Sequence, residues 1–205
     1  MKPFVVLYAT REGQTRRVAE HIAELIQARG HEAKLRDVRE IRERTEPFEL
    51  GVYRGAILAA SVHAGKHEPE MIAFVKRHRA ELDAIPTAFL SVSLAAAGAA
   101  DPEQSAEARA KAAADCRGVV DKLVAATGWH PARIEHVGGA LAYSKYNFLI
   151  RFVMKRIAKS QSMPTDTARD YEMTDWKALD QFVDELLGVK PEARSSEERA
   201  PLGAG

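Results

Sequence analysis

The segment from Phe4 to Thr15 constrains the fold more than any other part of the chain. It begins with a short apolar run, Phe4 to Ala9, whose length and β-branched content are typical of a buried strand. A polar loop follows, and after it apolar side chains recur at helical spacing, at Val18, Ile22, Leu25 and Ile26. Strand, polar loop and helix start in direct succession are typical of a phosphate site, because a helix N-terminus presents unpaired N–H groups and a partial positive charge.

The loop lacks the fingerprints of the common nucleotide sites. It contains no G-x-G-x-x-G, which argues against a dinucleotide, and no G-x-x-x-x-G-K-[ST], which argues against an NTPase loop. The remaining option is a small phosphate monoester, such as that of FMN, held by backbone N–H groups and by the hydroxyls of Thr10 and Thr15. An ordinary βα turn with a threonine cap would give the same pattern, so the loop alone leaves both interpretations open.

Composition narrows the class of protein. The 205 residues are enough for one domain with a substantial core, and the formal net charge of +1 argues against a protein that is globally a nucleic-acid binder. Cys116 is the only cysteine, so no intrachain disulfide can form, which favours a reducing compartment. No apolar run approaches the ~18 residues of a membrane span, and no signal-peptide pattern is present. We therefore expect a soluble chain or one that lies on a membrane surface.

The rest of the chain alternates predicted strands and helices. Further strands are predicted at residues 32–36, 56–60, 87–92 and 133–141. Helices are predicted from Pro69, over about residues 103–127, and from Thr174 as the N-cap. Loops are expected at residues 39–50 and 95–102.

This alternation predicts an α/β fold, a flavodoxin-like doubly wound three-layer sandwich. Its five-stranded parallel sheet would have the order 2-1-3-4-5, with a long basic insertion before the last helix. We expect residues 1–187 to form one FMN-binding domain that includes the insertion at 143–173, and residues 188–205 to form a disordered tail. Ligands of such sheets bind beyond the carboxyl ends of the strands, where the loops at 10–15, 61–67 and 91–98 would converge. That convergence favours FMN over an ordinary turn.

A closer resemblance rests on five segments. They are residues 9–15 (ATREGQT), 60–67 (ASVHAGKH), 86–94 (PTAFLSVSL), 139–143 (GALAY) and 174–176 (TDW). In order and spacing they resemble the quinone-dependent protoporphyrinogen oxidase family, the FMN-containing bacterial type, over roughly residues 2–187. The first segment alone is typical of flavodoxins in general, whereas the set together with the insertion is more specific.

The resemblance implies an oxidoreductase of porphyrin and heme biosynthesis. Non-covalently bound FMN would oxidise protoporphyrinogen IX to protoporphyrin IX, and electrons would pass to a membrane quinone, menaquinone or ubiquinone. The protein would be cytoplasmic and peripheral on the inner face of the cell membrane, with no nucleic-acid partner. A homo-oligomer is compatible with the sequence, which does not decide the oligomeric state.

The resemblance also implies a set of cofactor-binding residues. The phosphate would be held by the first loop, at Thr10, Arg11, Glu12, Gly13, Gln14 and Thr15. The isoalloxazine ring would be bordered by Ser61, Val62, His63, Ala64, Gly65, Ser91, Val92, Ser93 and Leu94. Ala64 stands where relatives often place an aromatic residue, so stacking on that side must come from His63, from another loop such as Tyr143, or be absent.

The insertion at 143–173 is much longer than the ~2–6 residues of a simple βα connection. Residues 145–159 contain no acidic side chain, and at helical spacing they separate into an apolar face and a basic face. A basic amphipathic helix is a candidate for an anionic membrane surface, while a helix that covers the domain would show the same pattern. The proposed substrate or membrane surface consists of Phe148, Arg151, Phe152, Lys155, Arg156 and Lys159.

Other features are less specific. His63 and His67 flank the expected flavin site and could shuttle protons, or could be ordinary polar loop residues. Their spacing resembles that of metal ligands, but no third ligand is evident nearby, so no metal is predicted. Cys116 is expected to pack within a helix, and no catalytic residue is assigned. Two other classes of function stay open: a flavodoxin-type electron carrier and an NAD(P)H:quinone reductase.

Overall fold

Eight strands and six helices are defined in the computed structural model, which describes residues 1–43, 47–141, 143–145, 152, 156 and 166–189. The strands are β1 Phe4–Ala9, β2 Ala33–Asp37, β3 Gly55–His63, β4 Lys66–His67, β5 Thr87–Ser93, β6 Arg133–Gly138, β7 Ala140–Leu141 and β8 Tyr171–Glu172. The helices are α1 Gln14–Ala28, α2 Val38–Glu43, α3 Pro69–Asp83, α4 Leu94–Ala100, α5 Ala106–Thr127 and α6 Trp176–Leu187. Short 3-10 turns occur at Leu50–Val52 and Tyr143–Lys145.

The main sheet is parallel and has the order β2-β1-β3-β5-β6. Strand β4 has only two residues and pairs antiparallel with the end of β3, so the five long strands run in the predicted order 2-1-3-4-5. Strand β3 lies between β1 and β5, with Ala60 opposite both Ala9 and Ser91. The predicted doubly wound α/β architecture is confirmed.

Both faces of the sheet are covered by apolar helix faces, which gives the three layers. On one face, α1 and α6 bury Ile22, Ile26 and Phe182 against β1. On the other face, α3 and α5 bury Met71 and Leu123 together with the indole of Trp129, which follows α5. Burial of each large apolar side chain contributes about 1.5–3 kcal/mol, so the two-sided core is the main stabilising term.

Two segments that were expected to be loops contain helices. Residues 95–102 were predicted to be a loop, but α4 occupies Leu94–Ala100. Ser93 caps this helix, because its Oγ accepts a hydrogen bond from the backbone N–H of Ala96 at 3.1 Å. Alanine has the highest helix propensity, so the cap makes this small-residue run helical. The second segment, residues 39–50, begins inside α2.

The expected loop at 61–67 is a hairpin, since β3 continues to His63 instead of ending near Ala60. A two-residue turn, Ala64-Gly65, joins β3 to β4, and His63 pairs with Lys66 across it. Both turn residues have positive φ, 48° at Ala64 and 69° at Gly65, as a type I′ turn requires. The left-handed conformation is strained for Ala64, which has a Cβ, and unstrained for Gly65.

The predicted fifth strand, 133–141, is two strands. Strand β6 ends at Gly138, and β7 then leaves the main sheet to pair antiparallel with β8. Only glycine fits at position 138, because the backbone of Met173 approaches it so closely that a Cβ would overlap the Met173 carbonyl oxygen. The last helix is capped by Asp175, one residue later than predicted, whose Oδ1 accepts from the N–H of Ala178 at 3.0 Å.

The predicted amphipathic helix at 145–159 lies mostly outside the described residues. Within it, Phe152 and Arg156 are described as helical and exposed, and 64% of the Phe152 surface is accessible. The predicted disordered tail, 188–205, lies outside the described residues from position 190 onward. Among the helices that the structure describes, none combines the length and apolarity needed to cross a membrane.

Candidate cofactor site

The loop after β1 leaves the start of α1 open to an anion. Gly13 precedes the helix with a φ of 98°, a left-handed conformation that glycine adopts without strain. Its N–H donates to Thr10 Oγ1 at 3.1 Å, which shapes the loop. No described side chain caps α1, and its first turn has no acidic residue. The first N–H groups of the helix can therefore bind a negatively charged ligand.

Thr15 gives the strongest indication that a ligand oxygen belongs there. Its side chain is 1% exposed, and its Oγ1 is buried with no hydrogen-bond partner among the described residues. A buried hydroxyl left unpaired costs about 1–3 kcal/mol. A phosphate oxygen at the start of α1 would satisfy this hydroxyl, so these residues fit the phosphate of FMN.

A pocket opens at the carboxyl ends of β1, β3 and β5. It is lined by Thr10, Glu12, Gln14, Thr15, Ser61, Val62, His63, Val92, Ser93, Leu94, Gly139 and Ala140. The three loops that were expected to converge do converge here. A fourth segment, the Gly139-Ala140 connection after β6, completes the pocket. Gly139 lies close to β5, where its N–H donates to the carbonyl of Ser93 at 3.0 Å.

Several predicted residues lie elsewhere. The Arg11 side chain pairs with Glu68, and Ser91 contacts His67 on the far side of β5. Gly13 lines an adjoining groove beside β8. Ala64 and Gly65 form the tip of the hairpin, where the Gly65 carbonyl accepts from Lys122 Nζ at 3.1 Å.

Tyr143, the alternative source of flavin stacking, packs in a different place. Its side chain is fully buried in a small cluster with Leu141, and its ring meets that of Tyr171 edge-on at 6.4 Å. It does not line the pocket described above. Among the described residues that line the pocket, His63 is the only one with an aromatic ring.

A set of five residues, here called the charged cluster, joins the first two loops to the start of α3. It consists of Arg11, Glu12, Ser61, His63 and Glu68. Arg11 Nε lies 3.0 Å from Glu68 Oε2, and Ser61 Oγ donates to Glu68 Oε1 at 3.0 Å. His63 Nε2 lies 3.0 Å from Glu12 Oε2 and 3.3 Å from Glu68 Oε1. Glu68 is only 3% exposed, so these contacts compensate a buried carboxylate.

The two histidines of the hairpin have opposite electrostatic environments. Contact with the Glu12 carboxylate raises the pKa of His63, against the opposing effect of burial, and the charge of Glu68 raises it further. His67 is buried, its Nε2 lies 2.9 Å from Ser91 Oγ, and its ring meets Phe89 edge-on. Burial lowers the pKa of His67 to about 4, so its imidazole is neutral near pH 7. Only His63 fits the predicted proton shuttle.

Comparison with known proteins places this geometry in a family. A family model described as a flavodoxin domain matches residues 5–168. The chain belongs to the flavodoxin-domain family. Within this family it is 30% identical to the protoporphyrinogen IX dehydrogenase (quinone) of Escherichia coli strain K12, over 89% of this chain and 93% of that protein. The Leishmania major protein of the same name is 29% identical, over 97% of this chain and 82% of that protein.

The resemblance inferred from the sequence segments is thereby confirmed. Among solved structures, a short-chain flavodoxin associated with a non-canonical PDU bacterial microcompartment superposes with a TM-score of 0.50. It is 12% identical and the match covers 93% of this chain and all of that one, so the likeness supports the fold alone.

Sequence reasoning did not assign Glu68, Gly139 or Ala140 to the site, although residues 139–143 form one of the resembling segments. Glu68 precedes Pro69 and resembles an ordinary residue at a helix start, and it reaches Arg11 only through the tertiary fold. Gly139 and Ala140 had a detectable signal, since Gly138-Gly139 interrupts an apolar run and an interior glycine pair often marks a close backbone approach. His67 was placed in a polar loop, but it is a buried residue of β4.

Proposed function

We propose that the chain binds FMN and catalyses the oxidation of protoporphyrinogen IX to protoporphyrin IX, with a membrane quinone as electron acceptor. One observation carries the cofactor assignment: the unpaired, buried Thr15 hydroxyl beside an uncapped helix start, at the carboxyl ends of the central strands. The names of the two related dehydrogenases support the substrate and the acceptor. The quinone would be menaquinone or ubiquinone, and the product would enter heme biosynthesis.

In this proposal the phosphate is held by the start of α1 with the hydroxyls of Thr10 and Thr15. Residues 61–63 and 92–94 would border the isoalloxazine ring, and Val62, Val92 and Leu94 would exclude water from it. When bound, FMN supplies a centre that accepts a hydride and releases electrons singly or in pairs. The chain supplies binding, orientation and local charge.

Of the sources of ring stacking that the sequence left open, Tyr143 packs elsewhere, so the flavin stacks on His63 or on no ring at this side. His63 also brings a charge that most stacking residues lack. The imidazole is held in ion-pair contact with Glu12 at 3.0 Å, so its orientation is restricted.

The insertion is proposed to meet the membrane and the quinone. The exposed Phe152 ring and the exposed Arg156, four positions apart in the sequence, are the described part of the proposed surface. A basic and apolar surface suits both anionic lipid headgroups and the propionates of a porphyrinogen. The protein would act as a peripheral protein on the cytoplasmic face.

The cofactor assignment is tested by adding FMN to purified protein and measuring the bound flavin by its visible spectrum. Thr15→Val keeps the shape of the side chain and removes the hydroxyl, so it should weaken FMN binding by about tenfold. Thr87→Val is the matched control, because Thr87 is also buried but begins β5 at the opposite end of the sheet. Equal FMN affinity in wild type and Thr15→Val would contradict the assignment.

The activity is tested by anaerobic stopped-flow spectroscopy of the FMN-loaded protein. Protoporphyrinogen IX should bleach the flavin, and a quinone should restore its colour. If NADPH bleaches the flavin rapidly instead, the protein is a quinone reductase. If bleaching stops at a stable one-electron state and no porphyrin forms, it is an electron carrier.

A further inference from the structure

The charged cluster links three segments that are distant in sequence. Arg11 and Glu12 lie in the loop after β1, His63 ends β3, and Glu68 precedes α3. The buried Glu68 carboxylate receives contacts from both loops, through Arg11 at 3.0 Å and Ser61 at 3.0 Å. We infer that Glu12 and Glu68 are positioning residues for His63, and that the imidazolium they hold makes cofactor binding at this pocket sensitive to protons. The inference rests on the proposed FMN function.

Both carboxylates lie against the same imidazole atom. His63 Nε2 is 3.0 Å from Glu12 Oε2 and 3.3 Å from Glu68 Oε1, so each carboxylate stabilises the charged form of the ring. Glu68 itself is held in place, because it is 3% exposed and packs at the first turn of α3. Lys66 is paired opposite His63 across the hairpin, and Lys122 reaches the hairpin tip from α5.

The charge of the cluster depends on His63. With the imidazole protonated, the two cations Arg11 and His63 balance the two anions Glu12 and Glu68. With it neutral, the cluster carries one net negative charge beside the site proposed for an anionic ligand. A phosphate monoester carries about −1.5 to −2 near pH 7, so loss of the proton should weaken its binding.

The direction of the pH effect follows from the contacts. Both carboxylates favour the charged imidazole, and they raise the pKa of His63. FMN affinity should therefore stay high below this pKa and fall as the pH rises through it. Replacement of either carboxylate should move the fall to lower pH, because Arg11 then disfavours the imidazolium with less compensation.

The first test follows the His63 ring by NMR titration of the cofactor-free protein. Glu12→Gln and Glu68→Gln should each lower the pKa of His63. Glu70→Gln removes the same charge in the first turn of α3, outside the cluster, and should leave the pKa of His63 unchanged. If Glu68→Gln does not fold, Glu12→Gln still decides, since Glu12 lies on a partly exposed loop. An unchanged titration in the folded cluster variants would overturn the inference.

The second test measures FMN affinity by quenching of flavin fluorescence across the pH range. The wild type should lose about fivefold more affinity than His63→Gln as the pH rises, and the phosphate's own titration is common to both proteins. Identical pH profiles for the two proteins would overturn the inference and leave FMN binding intact. Absence of FMN binding to the wild type at every pH would instead refute the proposed function.

Discussion

The buried His67 should make the stability of the protein fall steeply in mild acid. Its pKa is lowered by burial from 6.5 to about 4, with a smaller contribution from the charge of His136. The unfolded chain therefore takes up a proton at this side chain before the folded protein does. The stabilisation from neutral His67 is fully present above pH 6.5 and is lost as the pH falls toward 4.

The size of the effect follows from the displacement of this pKa. A shift from 6.5 to about 4 corresponds to about 3 kcal/mol once both states are protonated, and to about 2.5 kcal/mol between pH 7 and pH 4.5. His67→Gln removes the titration while its amide can still reach Ser91, which lies 2.9 Å from the imidazole Nε2. The variant should lose about 2.5 kcal/mol less stability than the wild type over that interval.

Urea unfolding followed by circular dichroism at several pH values measures this difference. Other groups contribute as well. Burial lowers the pKa of His136, whereas burial raises that of Glu135 and contact with Glu12 raises that of His63, with the opposite effect on the pH dependence. These groups are present in the wild type and in the variant, so their contributions largely cancel in the comparison. His130→Gln, at an exposed histidine, is the matched control and should follow the wild type. If His67→Gln loses as much stability in acid as the wild type does, the neutral buried imidazole is refuted.

Three further predictions concern a strained turn residue, a close backbone approach and a helix cap. Ala64→Gly should raise the free energy of unfolding by about 1 kcal/mol in urea titrations, because the turn holds this residue at a φ of 48°. Gly138→Ala should lower the melting temperature strongly, since its Cβ would overlap the Met173 carbonyl oxygen, while Gly51→Ala, which meets no neighbour within 4 Å, should melt like the wild type. Asp175→Ala should cost about 1 kcal/mol of unfolding free energy by removing the cap of α6, and an unchanged urea midpoint would contradict that role.

The fold was predictable because its signals are local and repeated. Each long strand is a short apolar run, and the helices show apolar residues at helical spacing, as in α1 with Val18 and Ile22. The α4 helix was missed because a run of small residues is typical of both loops and helices. What decides between them is the hydroxyl of Ser93, whose capping contact depends on where β5 ends.

The position of the site was predictable for a topological reason, while its charged residues were not. Parallel strands end at one edge of the sheet, so the loops after β1, β3 and β5 had to meet there. The partner of Arg11 could not be inferred in this way, because Glu68 lies 57 residues away and reaches it only through the packing of α3.

The two histidines show how the local fold decides what a spacing means. On a helix, His63-x-x-x-His67 would place both rings on one face, which is the geometry of a metal site. In a hairpin with a two-residue turn, His63 pairs with Lys66 and His67 pairs with Val62, so the rings point to opposite sides of the sheet. The described residues hold no group of ligands that could bind a metal.

Because His63 and His67 lie on opposite sides of the sheet, they should affect the pH dependence of stability and of FMN binding differently. His67 is buried, with its ring against Phe89 and its Nε2 at Ser91 Oγ, so its proton is linked to folding. The charge of His63 acts also on whatever anion the pocket binds. His67→Gln should therefore flatten the acid loss of stability and keep the pH profile of FMN binding. His63→Gln should flatten the pH profile of FMN binding. Because the pKa of His63 is raised in the folded protein, its charged form stabilises the fold below about pH 6.5, so His63→Gln should lose more stability in acid than the wild type does. If His67→Gln also altered the pH profile of FMN binding, the two histidines would form one titrating unit.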